Sequence, residues 1–333
     1  MGASSYETWR ETPENATVQT RAIWSYLTAT GLDGGDPRDL LSEEEQRALG
    51  KATSGGGFLV STDLAEQIVS AARAQSAIAS LALELTTDTG SAMGLPLAGT
   101  HGTAAWIAEA GSYAASDETI TSATLNAFKA TSKLIVSEEL LRDEEVQLDE
   151  YLARELGGRL GVLEGAAYAA GDGSGKPLGI TNAGSGYTVV TAAVGSSLLF
   201  KVADVVAAYK ALPAAYRPTA AWIFHPDDYA SLAGTTDTAG ALAIQSLSFN
   251  PPSLLGLPVF LDASMPAPAA NAKSAAIGSW RDAYAVRRVK MPTVDRMVEL
   301  HSDLGQVGYR AHSRVDGRPT LVDAARLLAH SAT

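Results

Sequence analysis

The chain has 333 residues, of which 46% are hydrophobic and 19% charged, so it can bury a sizeable core and is not a disordered polymer. Its 25 Lys and Arg against 37 Asp and Glu leave a formal charge of −12, which argues against a module built to grip nucleic acid. No cysteine is present, which excludes disulfides and thiolate metal sites, and no uninterrupted apolar run reaches the roughly 18 residues of a spanning helix.

Met1-Gly2-Ala3-Ser4-Ser5-Tyr6 lacks a basic region followed by an apolar one, so no export signal is expected. Tyr6 also stands where a myristoylation motif needs Ser or Thr. Residues 1–57 read as an arm with two short helices. The first, at 18–28, carries Ile23, Trp24 and Leu27 and is broken by Gly31, Gly34, Gly35 and Pro37. The second, at 42–49, opens with Ser42 and Glu45 at capping-box spacing. Gly55-Gly56-Gly57 is a hinge before Phe58-Leu59-Val60. Composition alone allows a disordered tail, but Trp9, Trp24 and Tyr26 favour an arm ordered against another surface.

Leu64, Ile68, Ala71, Ile78, Leu81 and Leu85 share one helical face behind Asp63, which predicts a helix over 63–85 that Gly90 and Gly94-Leu95-Pro96 terminate. From 97 to 128 the only large apolar residues are Leu97, Trp106, Ile107, Tyr113, Ile120, Leu125 and Phe128. That pattern predicts two β-strands joined by a polar tip at 111–118. Leu148, Leu152, Leu156, Leu160, Leu163, Ala167 and Ala170 then step by three or four, which predicts a long helix over 138–170, roughly 50 Å at 1.5 Å per residue. Gly157, Gly158 and Gly161 inside it should weaken or bend it.

Residues 186–290 read as an α/β lobe. A helix is predicted at 197–211, a buried strand at 220–225 around Trp222-Ile223-Phe224, a short helix at 226–233, and strands at 257–261 and 275–278. Alternation returns over 293–315, and 320–329 suggests a last strand or short helix. No internal repeat is evident.

Gly171-Asp172-Gly173-Ser174-Gly175-Lys176 resembles a phosphate loop only superficially. Ala170 and Pro177 break the required pattern, and the segment follows a helix instead of preceding one, so a helix cap and turn is the better reading. His101, His225, His301, His312 and His330 are scattered without metal-ligand spacing, and no nucleophile elbow occurs. The acidic run from Glu138 to Glu150 suits a helix start and a solvated face. Arg281, Arg287, Arg288, Lys290 and Arg296 form a basic cluster suited to acidic protein surfaces more than to DNA. Nothing here requires an enzyme, a cofactor or a metal.

Taken in order, several pieces resemble the major capsid protein family of tailed bacteriophages, the Hong Kong 97-type shell fold. Gly56-Gly57-Phe58-Leu59-Val60 resembles the family's entry after the N-arm, and Trp106-Ile107-Ala108-Glu109 with Ser116-Asp117 its extended loop. Residues 133–141 resemble the strand leading to the spine helix, and Gly171-Asp172-Gly173 with Pro177-Leu178-Gly179-Ile180 the signature after it. Trp222-Ile223-Phe224-His225-Pro226 and Leu255-Gly256-Leu257-Pro258-Val259 resemble axial-domain segments, and Gly278-Ser279-Trp280 through Arg296 the return into the peripheral domain.

The resemblance implies an α+β fold in seven pieces: an N-terminal arm (1–57), the first part of a peripheral domain (58–96), an extended β-hairpin loop (97–128), and the peripheral domain with its spine helix (129–185). An axial α/β domain (186–290), peripheral return strands (291–320) and a C-terminal segment near the axial domain (321–333) complete it. It also implies a shell subunit forming pentamers and hexamers, with scaffold or portal partners, weak nonspecific contact with packaged double-stranded DNA and no membrane. Trp9, Trp24, Trp106, Glu109, Tyr113, Asp117, Arg287, Arg288 and Lys290 are the candidate assembly-interface residues. The expected location is the virion capsid, assembled in the host cytoplasm.

Two departures stand out. About 55 residues precede Gly56, fewer than the scaffolding segment of many members, so a separate scaffold or a processed form is expected. Residues 97–128 hold no lysine, which argues against isopeptide crosslinking from that loop. An encapsulin-type nanocompartment shell and a soluble α/β enzyme are the alternative readings.

Overall fold

The elements run in the order α1 (Thr62–Ala74), α2 (Ala77–Leu81), β1 (Leu83–Thr87), β2 (Met93–Thr100), β3 (Thr119–Leu125), β4 (Phe128–Ser137) and α3 (Leu148–Ala170). Next come β5 (Thr188–Thr191), α4 (Val202–Ala211), β6 (Ala221–Phe224), α5 (Pro226–Ala233), β7 (Ser248–Phe249), β8 (Pro252–Leu254), β9 (Leu257–Leu261) and β10 (Ala275–Gly278). The chain closes with α6 (Trp280–Ala283), β11 (Tyr284–Val289), β12 (Thr293–Met297), β13 (Gln306–Pro319) and β14 (Ala325–Ala329). This computed structural model describes residues 62–100, 106, 119–137, 139, 148–234, 248–249, 252–297 and 303–332. The helices expected at 18–28 and 42–49, and the polar tip at 111–118, lie outside those residues.

The chain divides into two compact units. The first takes residues up to Gln75, Lys129–Glu164 and Lys290–Arg314. Its core joins Leu64 and Ile68 of α1 and Leu152, Leu156 and Leu160 of α3 to Leu134, Val136, Val294, Val307, Tyr309 and Ala311 of the strands. Here β12 pairs antiparallel with the first part of β13, from Thr293↔His312 to Met297↔Gly308, and β4 also pairs with β13.

The second unit takes Ser76–Phe128, Gly165–Val289 and Val315–Thr333. Its main sheet has seven strands in the order β5-β14-β10-β6-β9-β8-β7. Every residue of β6, β10 and β14 is buried. Alternate side chains enter two separate cores, with Ile223, Ala276 and Leu327 in one and Trp222, Phe224, Ile277 and Leu328 in the other. Period-two alternation between two apolar layers explains why β6 and β10 read as continuous apolar runs. In the same unit β1 lies parallel to β11, which pairs antiparallel with the last part of β13.

Three expectations need correction. The single helix over 63–85 ends at Ala74, restarts as α2 and gives way to β1. Asp262, far along the chain, causes the restart: its carboxylate accepts from Ser76 Oγ at 3.1 Å, Ala77 N at 2.8 Å and Ile78 N at 3.4 Å, capping α2. The helix expected from residue 197 starts at Val202, because Asp204 accepts from both Lys201 N and Ala193 N at 2.9 Å and fixes the entry.

The apolar face of α3 is the third. Leu152, Leu156 and Leu160 are buried as expected, but Leu163 is 52% exposed and Ala170 is exposed, while Glu164 is buried instead. Glu164 accepts from Ser313 Oγ at 2.7 Å, so a carboxylate holds a position that hydrophobicity alone assigns to an apolar residue. The helix glycines are contact points. A Cβ on Gly157 would fall 2.7 Å from Ile68 O, and one on Gly161 only 2.4 Å from Ala72 O, so α1 crosses α3 at backbone distance. Gly158 faces open space.

Candidate assembly surfaces

The β2–β3 hairpin is an arm by construction. Its strands pair antiparallel from Met93↔Leu125 to Thr100↔Thr119, with an irregularity between Ala98 and Thr100. Among its residues whose side chains are described, Leu125 alone is buried. A two-stranded ribbon with one buried anchor is marginal by itself and needs a neighbouring surface. Trp106, beyond the end of β2, is fully exposed, an expensive way to leave a large indole unless it enters a partner.

At the root of the arm the chain spends buried polar groups. Arg287, in the middle of β11 and only 1% exposed, donates from Nε to Thr87 Oγ1 at 3.0 Å and from Nη2 to Thr89 O at 2.8 Å. Its Nη1 donates to Leu125 O at 2.8 Å and Asn126 O at 3.2 Å. Asp316 stands opposite Arg287 in the strand register. Its carboxylate accepts from Asn126 N at 2.6 Å and from Gly317 N at 2.8 Å. Burial pushes the Asp316 carboxyl above its ordinary range, opposed by those two N–H groups and by the charges of Arg318 and Arg287.

The neighbouring Arg288 turns elsewhere, with Nε 3.3 Å from Glu84 Oε1 of β1. Lys290 lies exposed just past the strand with a positive φ of 54°. In the first unit a mostly basic strip faces outward. His312 is pushed below the ordinary imidazole value, first by partial burial and then by Lys129, with Arg310 and Arg314 adding to this and Asp295 opposing it. Arg310 pairs with Asp295 at 2.6 Å.

Two constellations that invite catalytic readings are structural. His330 Nε2 meets Ser274 Oγ at 2.8 Å and Asp228 Oδ1 at 3.1 Å, while Nδ1 faces Ser196 O at 3.1 Å and Phe200 stacks on the ring at 3.9 Å. Serine and carboxylate share one ring nitrogen, so no relay passes through the imidazole, and all three side chains are buried away from any substrate. The glycine-rich turn after α3 caps that helix: Gly171 N donates to Ala167 O, Gly179 N to Gly171 O and Ile180 N to Tyr168 O. Gly173 and Gly175 supply the positive φ values of 78° and 68° that the turn requires.

Of the residues singled out from sequence, Trp106 is exposed, Lys290 is exposed, and Arg287 and Arg288 lie inside the second unit. Trp9, Trp24, Glu109, Tyr113 and Asp117 lie outside the described residues. Arg287, expected at an intersubunit surface, is instead buried at the arm root among partners that the sequence reading missed: Thr87, Thr89, Leu125, Asn126 and Asp316. One signal was available. Two arginines inside the apolar run Tyr284-Ala285-Val286-Arg287-Arg288-Val289 must either face water or meet interior acceptors.

A family model described as the phage capsid family matches residues 56–329. A search of curated proteins returned no match. Among similar solved structures is the capsid of an empty GTA particle computed with C5 symmetry, at TM-score 0.67 and 22% identity, covering 92% of this chain and 99% of that one. A structure of Gordonia phage Cozz matches at TM-score 0.57 and 14% identity over 97% and 99% of the two chains. One of Mycobacterium phage Adephagia matches at 0.58 and 17% over 89% and 96%. At such identities the likeness establishes the fold, which is the Hong Kong 97-type architecture expected from the sequence.

Proposed function

The chain belongs to the phage capsid family, and on that premise we propose that it is the major capsid protein of a tailed phage, a structural subunit that self-assembles into an icosahedral shell. The observation that carries the reading is the family match over 56–329 together with an arm that, among its described side chains, buries one anchor at its root and leaves Trp106 in solvent. Such an arm is built to be completed by another copy. Pentamers and hexamers are the assembly units, and the shell encloses a double-stranded DNA genome that it touches weakly and without sequence preference, in keeping with a net charge of −12. Scaffold and portal proteins are the remaining partners, and the host cytoplasm is the assembly site.

In this reading residues 97–128 form the extended loop, 129–185 with 58–96 and 291–320 the peripheral domain, and 186–290 with 321–333 the axial domain. Residues 1–57 form an arm that reaches a neighbour through Trp9 and Trp24. Glu109, Tyr113 and Asp117 act with Trp106 at the intersubunit contact. The family match and the capsid likenesses favour this shell over a bacterial nanocompartment or a soluble enzyme.

The test is assembly of the purified chain. Sedimentation and negative-stain imaging should show closed particles of megadalton mass. Only monomer, across series of salt and protein concentration, would sink the proposal.

A further inference from the structure

We propose that Arg287, with Asp316 opposite it, is a latch that clamps both roots of the β2–β3 arm and so fixes the direction in which the arm leaves its subunit. The two bonds on Thr87 and Thr89 hold the chain just before it enters β2, and the two on Leu125 and Asn126 hold it where it leaves β3. One guanidinium therefore ties together segments about forty residues apart in sequence that flank the whole arm. Asp316 closes the other side of Asn126, taking its N–H while Arg287 takes its carbonyl.

The chemistry explains the residue types. Three backbone carbonyls and a hydroxyl converge on one buried point, and a planar group with five N–H donors can meet them from fixed directions where a lysine ammonium cannot. Leu125, fully buried, adds an apolar peg at the same place. Beyond these anchors no described arm side chain is buried, so the ribbon's direction is set at its root. Arg288, one residue along the same strand, is also buried and pairs with Glu84 of β1 at 3.3 Å. It is the natural control.

The consequence for assembly rests on the shell reading given above, but the latch is measured without it. Hydrogen exchange on the full chain, kept dilute and unassembled, should show the Asn126 amide and the β3 amides exchanging at least about tenfold faster in Arg287→Met, with Ala221–Phe224 of the central sheet unchanged. Arg287→Lys, which keeps the charge and loses the fork, should do the same. Arg288→Met should leave the arm root as protected as in the native chain.

Unchanged root exchange in Arg287→Met would overturn the latch, as would Arg288→Met loosening the root to the same extent, since that is general weakening of the sheet. Should Arg287→Met fail to fold, Asp316→Asn decides. It preserves shape but offers the Asn126 amide a poorer acceptor, so that amide must exchange faster, and unaltered protection overturns the proposal. A native chain that never forms particles yet shows these exchange changes would refute the shell reading and leave the latch standing.

Discussion

The seven-stranded sheet of the second unit and the β2–β3 arm are both β-structure within the same unit, yet they solve opposite problems. Strands β6, β10 and β14 are buried on both faces between two apolar cores, so their pairing is reinforced by everything around them. The arm has one buried side chain among those described and hydrogen bonds at its root. Strand pairing alone therefore says little about what an element contributes; what covers its faces decides whether it stabilises the subunit or waits for a neighbour.

The largest expected effect separates the two outright. Deleting 100–124 and bridging with glycines should abolish particles in sedimentation while leaving the unfolding midpoint of the subunit unchanged. Normal particles from that variant would erase the distinction.

A pair of tryptophans sharpens it. Trp222, with no exposed surface, fills the sheet core, and Trp222→Ala should cost about 3–5 kcal/mol in denaturant unfolding. Trp106→Ala should leave stability untouched and weaken assembly instead, because the indole is fully exposed on the subunit. Equal destabilisation by both would mean that the arm is an internal element.

Glycines in α3 extend the contrast to the first unit, whose packing depends on close approach of two helices. Gly161→Ala drives a methyl into Ala72 O and should destabilise by about 1–3 kcal/mol. Gly158→Ala meets open space and should be neutral or stabilising by up to about 1 kcal/mol from helix propensity. Matching values in thermal unfolding would show that α1 does not need the glycine gap.

The smallest effect concerns the basic strip. The folded chain holds His312 neutral to lower pH than the unfolded chain, whose imidazole titrates near 6.5. As pH falls below that value the unfolded chain takes up the proton first, so stability drops from about pH 6.5 through the lowered folded value, and above that window nothing changes. His312→Gln should flatten this part of the stability profile, measured as unfolding midpoint against pH. An unaltered slope would place the titration elsewhere.

Much of this molecule follows from local sequence. The period of Leu152, Leu156 and Leu160 marks α3; Trp222-Ile223-Phe224 and Leu257-Pro258-Val259-Phe260-Leu261 mark strands; and His225-Pro226 marks the start of α5, where the imidazole accepts from Asp227 N as a cap. The sparse apolar content of 97–128 marks the hairpin, although its first strand begins earlier, at Met93, inside the Gly94-Leu95-Pro96 stretch expected to end the preceding unit.

What tertiary structure alone decided are the places where residues far apart share one polar or steric contact. The break between α1 and α2 depends on Asp262, the glycines of α3 on the backbone of α1, and the direction of Arg287 on carbonyls contributed by residues 89, 125 and 126. Periodicity reports which face of an element is apolar. It carries no information about which distant carboxylate caps a helix or which carbonyls wait for a guanidinium, because those energies arise only once the chain has brought both partners together out of water.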